Sequence, residues 1–283
     1  MRESMRRYAY RILNVFADGV LTGNPLCVFE DAAGLSEAEM QALALQFNLS
    51  ETTFILPSTV ATARVRIFTP SFEMPFAGHP TLGTAHVVRD LQSTADMLTL
   101  EMKAGVIPVT SSGNVWTLEA RKPTARAAAP VHDIAGMLDL SPSDLCDSPL
   151  WVDTGSEQLI VPLVSVDAVL RCAPDPRLLA RYGSNASREG LAYVWAYETA
   201  SAVVARFFFL KRGSLVEDPG TGSACANLGG WLITHRTPLP LELTVRQGAQ
   251  VGRPCKIGLR VDATERIFVS GNVIELGRGA IQL

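Results

Sequence analysis

The chain has 283 residues, long enough for one large domain or two of ordinary size around a packed core. Hydrophobic residues make up 47% and charged residues 19%, the composition of a folded chain and not of a disordered one. With 25 basic and 28 acidic residues the net charge is -3, which gives no electrostatic case for a nucleic acid or an anionic membrane as partner. The opening "MRESMRRYAYRILNVF" lacks the continuous apolar stretch of a signal peptide, and no run elsewhere reaches membrane-spanning length. "YAYRILNVF" reads as a strand, and "ADGVLTGNPLCVF" as its hairpin partner, with Gly19, Gly23, Asn24 and Pro25 as turn or close-approach residues. A helix starts at Ser36: Ser36 and Glu39 have capping-box spacing, and Met40, Leu43, Ala44 and Phe47 recur at helical intervals. "NLSETTFILP" is a loop feeding a short strand with Glu51 at its entrance. "ARVRIFTP" sets Arg64 and Arg66 against Val65 and Ile67, the alternation of a half-buried strand.

The next stretch, "FAGHPTLGTAHVV", predicts a helix that begins near His79 and carries no charge until Arg89. Pro80 suits a first turn, where its missing N–H costs nothing. A helix that is small or apolar all round is normally buried, so its N-terminus offers backbone N–H groups and a partial positive charge inside the protein. Such an end suits an anion or a developing oxyanion. "ARFFFLKRGSLVEDPGTGSACANLGGWLI" repeats the design: a strand, a loop, then a helix of small residues with no charge between Asp218 and Arg236. Placing Gly78 over Gly222 sets His79 over Ser223. The parallel suggests two like halves, each a sheet wrapped round one buried helix. Residues 120–137, rich in Ala, Pro and Arg, are the expected linker. Helix mouths facing one cleft would bring Glu51, His79, Asp218 and Ser223 together.

Each of these residues also has a plainer reading. Glu51 could be a carboxylate on a strand edge in water, or a general acid/base in a closed apolar cleft. Asp218 could do no more than cap a helix. His79 could be a satisfied core histidine or a donor at the helix mouth. Five cysteines at 27, 146, 172, 225 and 255 include no C-x-x-C pair, and four histidines at 79, 86, 132 and 235 are dispersed. Disulfides, structural zinc and a catalytic metal are therefore not expected, and a reducing cytoplasm is the natural compartment. "TGSAC" is not a nucleophile elbow, since Thr221 and Cys225 stand where that motif has glycines. "DPGTGSA" lacks the ending of a phosphate loop, and no G-x-G-x-x-G follows a strand. Cys225, in a helix of small residues, is read as packing.

"VFADGVLTGNPLCVF", "NLSETTFI", "RIFTPSFEMPFAGHPTLGTAH" and "EDPGTGSACANLGGWL" together resemble the phenazine-biosynthesis isomerase (PhzF-like) family, part of the diaminopimelate epimerase-like superfamily. The resemblance spans nearly the whole chain. It implies an α+β fold of two pseudo-symmetric halves, each a curved, mostly antiparallel, barrel-like sheet around a central buried helix. The N-terminal half would be 1–119, completed by the C-terminal strand 271–283, and the second half 120–270, with the active site in the cleft between them. It implies a cofactor-free and metal-free isomerase that forms a homodimer. Such an enzyme moves a proton and a double bond within a small carboxylate-bearing amino or hydroxy acid. Carried over position by position, Glu51 matches the family's proton-shuttling carboxylate, and His79 and Asp218 its other catalytic positions. Gly78, Thr221, Gly222 and Ser223 match substrate-binding positions, as do Thr154, Gly155 and Ser156 of "DTGSEQLIVPL". In the wider superfamily's epimerases two cysteines face each other across the cleft; here the helix mouths read Gly78-His79 and Gly222-Ser223. A racemase or epimerase on the same frame, and a binding protein without turnover, are the alternative functions.

Overall fold

Apolar and β-branched runs fold here as strands laid around two helices that have almost no polar face. The computed structural model describes residues 5–283. It divides into two units: one ends at Leu118 and takes back Ser270–Leu283, and the other is Glu119–Val269. In chain order the first contains β1 (Arg7–Val15), β2 (Asn24–Phe29), α1 (Glu37–Phe47), β3 (Glu51–Leu56), β4 (Ala63–Phe68), β5 (Glu73–Met74), α2 (Gly78–Gln92), β6 (Met97–Met102), β7 (Gly105–Ser112) and β8 (Val115–Glu119). The second follows with β9 (Thr124–Ala127), α3 (Val131–Met137), β10 (Leu150–Asp153), β11 (Glu157–Pro162), α4 (Val166–Arg171), α5 (Pro176–Tyr182), β12 (Leu191–Thr199), β13 (Ala202–Lys211), β14 (Ser214–Asp218), α6 (Gly222–Thr234), β15 (Leu241–Gln247) and β16 (Cys255–Val261). The long last strand, β17 (Ile267–Gln282), starts in the second unit and ends in the first.

In the first unit the strands close on themselves. β1 pairs antiparallel with β2, β2 parallel with β3, β3 antiparallel with β4, β4 parallel with β6, and β6, β7 and β8 follow as antiparallel neighbours. β17 pairs with both β8 and β1, which completes a barrel without a free edge. α2 fills it. Gly78 through Ala85, with Val87 and Val88, are all buried, so the chargeless sequence is that of a helix with sheet on every side. β3 is buried on both faces for the same reason. Thr53 turns toward α2, its hydroxyl 2.8 Å from that of Thr84. Phe54 turns the other way, into a cluster with Phe29, Phe68 and the buried Met40, Leu43 and Ala44 of α1. Phe29 and Phe54 stack at 4.9 Å. Burial of each such side chain stabilises the fold by roughly 1.5–3 kcal/mol. α1 carries the capping box read from the sequence, Ser36 and Glu39 each bonding the other's backbone N–H.

The second unit repeats the order. β10 pairs antiparallel with β11, β11 parallel with β12, β12 antiparallel with β13, β13 parallel with β15, and β15 antiparallel with β16. The parallel pairs fall at the same two places as in the first unit, and α6, buried from Ala224 to Leu232, takes the place of α2. The repeat extends to side chains. Arg66 on β4 forks onto Glu73 of β5 through Nε and Nη2 at 2.7 and 2.6 Å, and lies 5.1 Å from the Phe68 ring centre. Arg206 on β13 forks onto Glu217 of β14 at 3.1 and 2.8 Å, and lies 4.6 Å from the Phe208 ring centre. Glu73 precedes Gly78 by the same spacing as Glu217 precedes Gly222, so each fork braces the segment that enters a buried helix.

One expectation differs from the structure. Residues 120–137 are not a linker: β9 pairs antiparallel with β10, from Thr124 opposite Asp153 to Ala127 opposite Leu150, and α3 buries Ile134, Ala135 and Met137. All four β9 residues are exposed, so no alternation of apolar and polar residues marks them as a strand. Arg126 ties β9 down instead, forking onto Glu157 at 2.7 and 2.9 Å and lying 4.7 Å from the Trp151 ring centre.

Candidate functional site

Parallel pairing of β2 and β3 puts both strand starts at one end of the barrel, with Leu26 opposite Glu51. Asn24 opens β2, Glu51 opens β3, and His79 is the second residue of α2. Three polar side chains, far apart in sequence, therefore meet at the mouth of the apolar helix. Glu51 Oε2 lies 3.4 Å from His79 Nε2, and the Glu51 side chain keeps 15% of its surface exposed. The other ring nitrogen, His79 Nδ1, is 3.4 Å from Asn24 Nδ2. His79 is 6% exposed, and that burial pushes its pKa down to about 3, against the opposing influence of a hydrogen bond to the Pro25 backbone. The ring is thus neutral across the physiological range. It can polarise or receive a hydrogen, but it is not a standing cation. No side chain caps α2, whose N-cap is Ala77.

Neutral burial of His79 has a consequence for stability. Its pKa in the unfolded chain is near 6.5 and in the fold about 3, so below pH 6.5 the unfolded state binds the extra proton. Stability therefore falls as the pH drops from 6.5 toward 3, by up to about 1.4 kcal/mol per pH unit from this group. Chemical denaturation of wild type and His79→Gln across pH 4–8 checks it. The wild type should lose stability faster on acidification, and parallel curves would assign the acid sensitivity elsewhere.

In the second unit the mouth of α6 has the corresponding layout. Thr221 is the N-cap, Gly222 the first residue and Ser223 the second, again with no side-chain cap. Asp218 ends β14 and accepts a hydrogen bond from the Thr221 hydroxyl. Gln247, at the end of β15, holds this loop from below. It donates to the Asp218 carbonyl at 2.9 Å and to Thr221 Oγ1 at 3.0 Å, and accepts from the Thr221 N–H at 3.2 Å. Ser223 Oγ accepts from Gln158 Nε2 at 2.9 Å, as His79 stands beside the amide of Asn24 in the first unit. Thr154, Gly155 and Ser156 form the β10–β11 turn, where Gly155 is exposed and has φ +133°. Thr154 is 7% exposed and bonds Asn227 of α6 through both its N–H and its hydroxyl.

Within the first unit, then, Glu51, Gly78 and His79 meet; within the second, Asp218, Thr221, Gly222 and Ser223 gather at the start of α6, while Thr154 and Ser156 of the turn bond Asn227 farther along that helix. Asn24, Gln158, Asn227 and Gln247 were not among the expected site residues. Only Asn227, a lone amide in the apolar "ACANLGGWL", carries a signal in the sequence, since a buried amide must find a partner; Gln158 and Gln247 lie beside charged residues and carry none. Cys225 is fully buried, and burial pushes its thiol up, so it packs in α6 and offers no thiolate. Among the described residues no group of three His, Cys, Asp or Glu side chains is arranged to hold a metal ion, and no helix is long and apolar enough to cross a membrane.

The sequence profile of the phenazine biosynthesis-like (PhzC-PhzF) proteins matches residues 13–279. The chain belongs to this family. It is 38% identical to an uncharacterised isomerase of Pasteurella multocida, over 97% of this chain and 94% of that protein. It is 34% identical to the trans-2,3-dihydro-3-hydroxyanthranilate isomerase of Pseudomonas chlororaphis, over 97% of this chain and 99% of that enzyme. The crystal structure of a PhzF-family phenazine biosynthesis protein from Bacillus anthracis superposes with a TM-score of 0.86 at 25% identity, covering 99% of this chain and 100% of the other. As a PhzF-family member the protein is an isomerase, with the α+β, diaminopimelate epimerase-like fold its motifs implied.

Proposed function

We propose that this PhzF-family isomerase moves a proton, and with it a double bond, within a small unsaturated amino or hydroxy acid, and that Glu51 is its single acid/base. The observation that carries this reading is the Glu51–His79 pair at the open end of α2, where a partly exposed carboxylate stands 3.4 Å from a buried neutral imidazole. Such an isomerisation removes a proton from one carbon and returns it to another. One carboxylate serves both steps when it reaches both carbons on one face of the substrate. Charge spread over the enolate-like intermediate would be stabilised by His79 and the N–H groups of Gly78 and His79. Asp218 would hold an amino or hydroxyl group of the substrate, with Thr221 fixing its carboxylate. Gly222 and Ser223 would hold an acidic group at the positive end of α6, walled by Thr154, Gly155 and Ser156. In this proposal no cofactor, metal ion or nucleic acid takes part. The protein would work as a cytoplasmic homodimer, a state that light scattering reads directly.

Because a relative 34% identical is named for it, trans-2,3-dihydro-3-hydroxyanthranilate is the first compound to assay, followed by other small unsaturated amino and hydroxy acids. Loss of the starting diene with a new C–H signal by NMR is the expected result. Exchange at a stereocentre without double-bond movement would replace the isomerisation with epimerisation.

A further inference from the structure

Ser223 lies at the end of a chain of hydrogen bonds whose direction can be worked out from one fixed point. The Thr154 backbone N–H can only donate, and it points at Asn227 Oδ1 at 2.9 Å, with the Thr154 hydroxyl adding a second bond at 2.6 Å. The Asn227 oxygen is thereby assigned, since a flipped amide would set donor against donor. Asn227 Nδ2 then faces the Ser156 carbonyl at 2.8 Å and Gln158 Oε1 at 2.7 Å, two acceptors for its two hydrogens. Gln158 is therefore also fixed, and its Nε2 donates to Ser223 Oγ at 2.9 Å. Asn227 is 0% and Gln158 1% exposed, so neither amide can exchange its partners for water. Ser223, by contrast, is only partly buried, and no described residue accepts its hydroxyl proton.

We propose that Asn227 and Gln158 are positioning residues that set Ser223 as a hydrogen-bond donor toward the ligand, so that this position selects a carboxylate or another acceptor over an isosteric donor. This rests on the reading of Ser223 as a ligand-binding residue given above. A free serine hydroxyl turns to suit either a donor or an acceptor. With one of its two lone pairs taken by Gln158 and no described residue accepting its proton, the hydroxyl offers its hydrogen to the ligand side, so an acceptor there gains a bond that a ligand N–H reaches only by turning that hydrogen away.

The test uses two probes, 3-hydroxyanthranilate and its carboxamide, whose affinities are measured by calorimetry on the intact protein. Wild type should prefer the carboxylate, and Gln158→Met, which keeps the volume and removes the donor, should reduce that preference about tenfold. In the Ser223→Ala background the same Gln158→Met change should leave the preference unaltered, because the relay then has nothing to orient. An equal reduction in both backgrounds overturns the proposal. Should Gln158→Met fail to fold, Gln158→Glu replaces it, with affinity for the neutral carboxamide as the readout: it should rise with Ser223 present and not in the Ser223→Ala background. A second measurement needs no ligand. The side-chain amide protons of Asn227 and Gln158 should exchange slowly in wild type, and one Gln158 proton should speed up in Ser223→Ala; fast exchange in wild type overturns the relay. Slow exchange with equal binding of both probes would overturn the proposed selection at Ser223 and remove the carboxylate from the proposed function, leaving only the chain of hydrogen bonds.

Discussion

Glu51→Gln is expected to fold normally and to lose turnover by at least roughly 10²–10⁴-fold, the share that general acid/base catalysis supplies. Glutamine keeps the shape of the side chain and its hydrogen bonding at the start of β3, but it can neither take a proton from carbon nor give one back. Melting temperature should hardly move, since one polar side chain replaces another at a position where 15% of the surface is exposed. Cys225→Ala is the control. The thiol is fully buried within α6, so its loss should cost on the order of 1 kcal/mol of packing and leave activity nearly intact. In deuterated water the wild type should place less than full deuterium at the new C–H, because the same proton rides on Glu51 from one carbon to the other. Full deuteration would mean that the carboxylate exchanges with solvent between the two steps. Full activity in Glu51→Gln with none in Cys225→Ala would transfer the chemistry to the thiol.

The two buried helices were legible because burial on all sides leaves a compositional trace: neither α2 before Arg89 nor α6 carries a charge. The polar residues at their mouths stood out against that background, and Glu51 against the apolar "TTFIL" that follows it. The matching arginine forks were not legible: Arg66 stood only as the polar side of a half-buried strand, and Arg66–Glu73 and Arg206–Glu217 could be paired only once β4–β5 and β13–β14 were seen as hairpins. The amides were out of reach for a different reason. Asn227 bonds Gln158 across 69 positions of sequence and Gln247 bonds Thr221 across 26, and no spacing rule covers partners on separate strands and helices. β9 was hidden because an edge strand held by Arg126 and backbone bonds needs no apolar face.

Gly248→Ala is expected to be the most damaging small substitution near the candidate site, although it removes no functional group. Gly248 follows Gln247 with φ +84° and ψ 0°, a conformation that costs an alanine roughly 1–2 kcal/mol. A Cβ there would also lie 2.3 Å from the carbonyl oxygens of both Pro219 and Arg253 and 2.9 Å from Pro219 Cα, all of them backbone atoms that cannot swing aside. Overpacking of this kind adds typically 1–3 kcal/mol. The combined cost, roughly 2–5 kcal/mol, corresponds to a fall in melting temperature of about 5–15 °C for a unit of this size. Gly252→Ala separates the two contributions: its φ is +70°, but nothing lies within 4 Å of the added carbon, so it should show only the smaller backbone cost. The difference also reaches the chemistry. Pro219 directly follows Asp218, and Gln247 grips the Asp218 carbonyl and the Thr221 hydroxyl from the same strand end. Pushing Pro219 away therefore shifts Asp218 and loosens the loop that enters α6. At a temperature where both variants are fully folded, Gly248→Ala should raise KM and lower kcat/KM well beyond Gly252→Ala. Equal melting temperatures and equal kinetics in the two variants would show that the β15 end does not set the position of Asp218.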